Sequence, residues 1–157
     1  MGKIKVTEVL RNDRWVGVQG ENAAGPFLLR YRIPVLAPSD TKGYEHVLKI
    51  VWAYADENSE AMPKVDDSEK MAVFENRFCE AVEHDRTAIL TAVLTFDGAR
   101  QWVFYTGNID ECGERLRNMP QNDEPYPLEL TTERDPGWNY FRKIILAVVP
   151  KQDLDHE

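Results

Sequence analysis

Little in this chain can build a metal centre. Its 157 residues include two cysteines and three histidines, and neither Cys79 nor Cys112 has another Cys or a His at metal-ligand spacing, so no zinc site and no cofactor is expected. Long apolar runs are also missing: nothing approaches the roughly 18 residues that a membrane-spanning helix needs. The start, MGKIKVTEVLRNDRW, lacks the apolar stretch of a signal peptide, and Val6 stands where a myristoylation signal needs Ser or Thr. A cytoplasmic protein with reduced thiols is the expectation. Positive charge is short as well, with 19 basic against 27 acidic residues and a net charge of −8. Such a chain repels phosphate backbones unless its bases cluster, so neither nucleic acid nor a membrane is an expected partner. The acidity suits docking on a basic protein surface and equally suits plain solubility.

What is present is apolar side chain in quantity. Hydrophobic residues make up 43% of the chain and aromatics 10%, enough to bury a core without disulfides. One domain over residues 1–150 with an acidic tail at 151–157 is expected.

The pattern begins with β-structure. A short strand is possible at Lys3 to Leu10 and a clearer one at Arg14 to Gln19, followed by turn residues Gly20 to Gly25 and a strand at Phe27 to Ile33. In this last strand Phe27, Leu29, Tyr31 and Ile33 share one face, with Leu28, Arg30 and Arg32 on the other. Pro34 and Pro38 end this strand, and Ala37 to Gly43 read as a loop. Glu45 to Ala55 is apolar on both faces, which predicts a strand near the sheet centre. After a polar loop, Asp66 and Glu69 have capping-box spacing, and Met71, Phe74, Phe78, Ala81 and Val82 recur at helical spacing up to about His84.

Thr87 to Phe96 and Arg100 to Thr106 form a hairpin around Asp97-Gly98. Asn108 caps a second helix with Ile109, Cys112 and Leu116 on one stripe, ending near Met119-Pro120. A short strand follows at Leu128 to Thr132. Asp135-Pro136 reads as N-cap and first residue of a last helix with Trp138, Phe141, Ile145 and Val148 inward. From Glu45 the order strand, helix, strand, strand, helix, strand predicts an α+β, ferredoxin-like βαββαβ antiparallel sheet. Right-handed crossovers place Glu45 to Ala55 beside Arg100 to Thr106. The N-terminal hairpin extends or flanks the unit and the C-terminal helix is added to it.

On those residues the chain resembles the domain-of-unknown-function family 695, a mainly bacterial group, over roughly Asp13 to Leu146. The likeness rests on the Trp15 strand, Trp52 with Tyr54, Met62-Pro63, the Trp-Val-Phe-Tyr run within Arg100 to Thr106, and DPGWNYF at Asp135 to Phe141. It implies a fold and carries no catalytic residues. A more distant likeness, in strand order and acidity only, is to the regulator of ribonuclease E activity B, a protein inhibitor.

Two groups are candidate binding residues. Trp52, Tyr54, Trp102 and Phe104 fall on one face of neighbouring strands: they are core if helices cover that face and a binding platform if it is open. Arg30, Arg32 and Arg100 can collect into a basic spot that holds a carboxylate or phosphate, or they can pair with surface carboxylates such as Glu129 and Glu133. A base-stacking surface would need interleaved cations, and only Lys49 and Arg100 are at hand. His84 beside Asp85 is better read as a helix end than as a catalytic pair. Glu57, Glu60, Asp66, Asp67 and Glu69 lack the spacing of a calcium loop. No nucleophile stands with a base and an orienting group. The leading expectation is therefore a non-enzymatic protein acting by contact with another protein. The alternative is a small-molecule binder or hydrolase-like enzyme holding an anion between the N-terminal hairpin and the ferredoxin-like unit.

Overall fold

A computed structural model describes residues 14–22, 25–33, 41–54, 63–119 and 126–148. The strand expected at Lys3 to Leu10, the loop acids Glu57 and Glu60, Met62, and the tail at 151–157 lie outside the described residues. Six strands form one antiparallel sheet: β1 (Arg14–Asn22), β2 (Gly25–Ile33), β3 (His46–Ala53), β4 (Ala88–Phe96), β5 (Ala99–Thr106) and β6 (Leu128–Arg134). The helices are α1 (Val65–Glu83), α2 (Ile109–Asn118) and α3 (Asn139–Val148). The α+β class is that expected from the order of elements, and no described helix is long and apolar enough to cross a membrane.

The strands lie in the order β1-β2-β4-β5-β3-β6. The β3–β5 pairing runs from His46 opposite Thr106 to Ala53 opposite Ala99. Because β2 pairs with β4, the N-terminal hairpin lengthens the sheet and moves its middle to β4 and β5. β3 is thus next to last, not central. Its apolar odd and even positions are still both needed, because both faces of the sheet are covered.

One face carries α1 and α2. Met71, Phe74, Phe78 and Val82 of α1 and Cys112 of α2 pack with Leu48, Ile50, Trp52, Leu90, Val93, Trp102 and Phe104. The opposite face carries α3: Trp138, Phe141 and Ile145 pack on Leu29, Tyr31, Val47, Ile89, Val103 and Tyr105. Period-2 strands divide their side chains between these two layers.

Local chemistry explains most boundaries. Asp97 and Gly98 have φ of 50° and 80°, the left-handed pair that a two-residue hairpin turn requires. Asn108 caps α2, its side-chain oxygen accepting the Glu111 N–H at 3.1 Å. Three expectations need correction. Gly20 to Asn22 continue β1 instead of turning, and the Phe27 ring covers Gly20, where an added Cβ would meet the ring at 2.5 Å. α1 begins at Val65, one residue before the expected cap. Lys64 is its N-cap and makes no side-chain capping bond, so Asp66 and Asp67 sit in the first turn, where the helix dipole favours them.

The third correction concerns DPGW. Asp135, Pro136 and Gly137 turn before the helix, Trp138 takes φ 55°, and α3 starts at Asn139. Asp135 still caps, but from outside, with its carboxylate accepting the N–H groups of Asn139 at 2.8 Å and Tyr140 at 2.9 Å. It also accepts the buried Tyr105 hydroxyl at 2.7 Å, and that hydroxyl in turn accepts the Phe141 N–H. Burial first, and the bond to Asp135 second, push the Tyr105 phenol well above its usual range.

Candidate functional site: the arginine face and an open strand edge

The covered face decides the aromatic group. Trp102 and Phe104 are fully buried and Trp52 nearly so, with the Phe74 ring of α1 edge-on to Trp102 at 4.9 Å. These rings are core, not a platform. Tyr54, just past β3, is half-buried, and desolvation raises its phenol above the usual range.

Arg30 and Arg32 do pair with carboxylates, but not with Glu129 or Glu133. Arg30 Nη2 donates to Glu75 Oε1 at 2.6 Å, and Arg32 Nη1 donates to Glu83 Oε2 at 2.9 Å. Glu129 and Glu133 belong to β6, with three strands between it and β2, and Glu133 instead takes Lys49 at 2.7 Å. Lys49 lies on the α3 side, its ammonium 3.8 Å from the Tyr140 ring centre, so it cannot share a surface with Arg100. Trp15 supplies the floor: the Arg30 and Arg32 guanidinium carbons stand 5.6 and 4.8 Å from its ring centre.

Sequence reading missed Glu75, Glu83 and the role of Trp15. A signal was present. Glu75, Cys79 and Glu83 recur at four-residue spacing beside the apolar stripe of α1, one stripe of carboxylates over one stripe of guanidiniums.

A backbone irregularity fixes the Arg32–Glu83 pair. The β4–β5 register slips between Leu90 and Ala92, and β2–β4 pairing ends at Tyr31 opposite Ala92. Leu90 therefore has no ladder partner on β2. Its N–H donates to Glu83 Oε2 at 2.9 Å and its carbonyl accepts Arg32 Nη1 at 3.0 Å, so the ion pair replaces the missing strand bonds. Glu75 works similarly, taking the Trp102 indole N–H at 2.8 Å on the oxygen that holds Arg30.

Arg100 differs from the other two. Its Nε donates to the Thr95 hydroxyl at 2.8 Å, and no described carboxylate forms an ion pair with it. Cys79, between the two glutamates on α1, is partly buried, and burial first and the adjacent Glu83 and Glu75 next raise its thiol far above the usual range. At the far end of α1, His84 Nδ1 lies 2.8 Å from the Glu80 carbonyl, while Asp85 forms a two-pronged pair with Arg115 at 2.7 and 2.8 Å. His84 and Asp85 have separate partners and are not a catalytic pair.

A second feature is the outer edge of β6. Among the described residues β6 pairs only with β3, from His46 opposite Arg134 to Trp52 opposite Leu128. The Asp135 N–H donates to the Glu45 carbonyl at 2.7 Å, which sets the phase of the ladder. Bonded pairs alternate in an antiparallel ladder, so residues 129, 131 and 133 turn their backbone groups to β3, and Leu130, Thr132 and Arg134 turn theirs outward.

The sequence model of one protein family, the family of unknown function (DUF695), matches residues 13–146. The chain belongs to this family. No curated protein and no solved structure matches it. Membership in DUF695 agrees with the resemblance drawn from Trp15, Trp52, Arg100 to Thr106 and DPGWNYF. These residues specify the fold of this DUF695 chain: Trp102 and Trp138 are core, and Asp135 is a buried cap.

Proposed function

We propose that this DUF695 protein acts by protein–protein contact, without catalysis, and that the outer edge of β6 receives an extended, basic segment of its partner. The observation that carries this reading is the edge itself: three residues, Leu130, Thr132 and Arg134, direct outward backbone groups that no described strand takes, and six of the seven β6 residues are exposed. Such an edge is a template for an added strand. Exposed Glu129 and Glu133 flank it on the α3 side and Leu130 lies exposed on the other, so the fitting segment alternates Lys or Arg with apolar residues. The net charge of −8 favours the same partner and accelerates its approach.

The order β6-β3-β5-β4, antiparallel throughout, supports reading this part as a ferredoxin-like unit with the β1–β2 hairpin added alongside β4. A hydrolase-like role would need a nucleophile beside the arginines, and the thiol there, Cys79, is held protonated.

The test is affinity purification from the native host with the wild type and with Thr132→Pro, which removes one outward N–H and no bond to β3. A stoichiometric partner lost from the Thr132→Pro sample supports the reading. A partner retained equally by both moves the contact elsewhere. No partner at all, together with melting-temperature shifts across a metabolite panel, overturns the protein-contact reading.

A further inference from the structure

We propose that Arg100 forms an oxyanion subsite on the sheet face next to α1, taking the phosphate or carboxylate group of a small ligand. Three observations lead there. First, Arg100 is a half-buried cation whose side chain makes one hydrogen bond among the described residues, from Nε to the neutral Thr95 hydroxyl. Its two terminal nitrogens have no acceptor on any described residue and are not sealed from solvent. A guanidinium presents its donors as a planar fork, and here the open side of that fork can reach an oxyanion with two parallel bonds.

Second, the charged residues that act on Arg100, among those described, are Arg30 and Glu75. Arg30 repels Arg100, and desolvation together with that repulsion lowers the Arg100 pKa. Among the described carboxylates the one that offsets Arg100, Glu75, already has one oxygen engaged by both Arg30 and Trp102, and it forms no ion pair with Arg100. Third, the fork is held in place. Thr95 is buried directly opposite Arg100 in the β4–β5 ladder, and Trp52 is opposite it in the β3–β5 ladder. A fixed donor group loses little freedom on binding.

The subsite is independent of the β6 edge. The test is thermal unfolding of the full chain with inorganic phosphate or acetate titrated from about 1 to 100 mM at ionic strength held constant with chloride. Phosphate or acetate at about tenfold above its dissociation constant should raise the Tm by about 3–5 °C. The shift should vanish in Arg100→Gln and shrink in Arg100→Lys, which keeps the charge and loses the fork. It should persist in Arg14→Gln, on the opposite face, and in Thr132→Pro. In NMR of the wild type the Arg100 Nε–H resonance should move on titration, a readout that does not depend on any variant folding. A larger response to phosphate assigns a phosphate ester, and a larger response to acetate assigns a carboxylate. The proposal falls if neither anion moves that resonance, or if a folded Arg100→Gln keeps the full Tm shift.

Discussion

Removing Glu83 should unfold the corner where β2 and β4 part. Arg32 is only 6% exposed and Glu83 18%, and between them they satisfy both backbone groups of Leu90. Glu83→Ala takes one counter-charge from a nearly sealed guanidinium, and breaking a buried pair costs about 3–5 kcal/mol. It also strands the Leu90 N–H, worth about 1–3 kcal/mol taken alone. The two losses share one site and do not add fully, and the Trp15 ring still shields Arg32, so the expected total is about 4 kcal/mol. With a urea slope near 2 kcal/mol/M the unfolding midpoint should fall by about 2 M. Arg32→Met keeps the aliphatic stem and leaves Glu83 bonded to Leu90, so it should cost less, about 2–3 kcal/mol. The double variant should cost less than the two singles combined, by about 1.5 kcal/mol or more. If Glu83→Ala costs under about 1 kcal/mol and the singles simply add, then the ion pair does not replace the strand bonds and the account of the slipped register is wrong.

Three further outcomes are expected. Tyr105→Phe removes the hydroxyl that joins Asp135 to the Phe141 N–H and should cost about 1–3 kcal/mol in urea unfolding; a loss confined to the noise would show the pair to be dispensable. Asp85 is held well below the ordinary carboxylate range, first by its hydrogen bonds to Arg115. Its folded pKa is lower than its unfolded one, so its contribution is full above the unfolded value and is lost as pH falls through the folded value. Asp85→Asn should therefore flatten the acid limb of stability against pH below about 4, and an unchanged limb would refute this. Cys79 should resist iodoacetamide at pH 8 in the folded protein and react in urea, and rapid labelling of the native chain, mapped by mass spectrometry to Cys79, would contradict its burial.

The local elements were legible because each rests on neighbouring residues. Asp97-Gly98 gives a left-handed turn and Asn108 a cap wherever the rest of the chain goes. Met71, Phe74 and Phe78 make a helical stripe by spacing alone. DPGW was harder: Asp-Pro suits a helix start, but burial of Trp138 on the α3 face draws the turn in and delays the helix to Asn139. The capping-box spacing of Asp66 and Glu69 also misled, since α1 begins one residue earlier, at Val65.

The site was half legible. That Arg30 and Arg32 share a strand face follows from period two, and Arg100 falls on the matching face of β5. Their acids did not follow, because Glu75 and Glu83 reach them only through the way α1 crosses the sheet, a contact between residues 45 and 51 positions apart.

Sequence by itself determined the α+β class, the β3–β5 neighbourhood, the β4–β5 hairpin and the division of side chains between faces, since propensity, turn chemistry and periodicity are local. Tertiary structure alone decided that the aromatic face is core and that, among the described residues, two arginines have carboxylate partners while Arg100 has none and the outer edge of β6 has no neighbour. Those outcomes depend on which surfaces distant segments cover, and covering is a property of the packed chain that no short stretch of residues encodes.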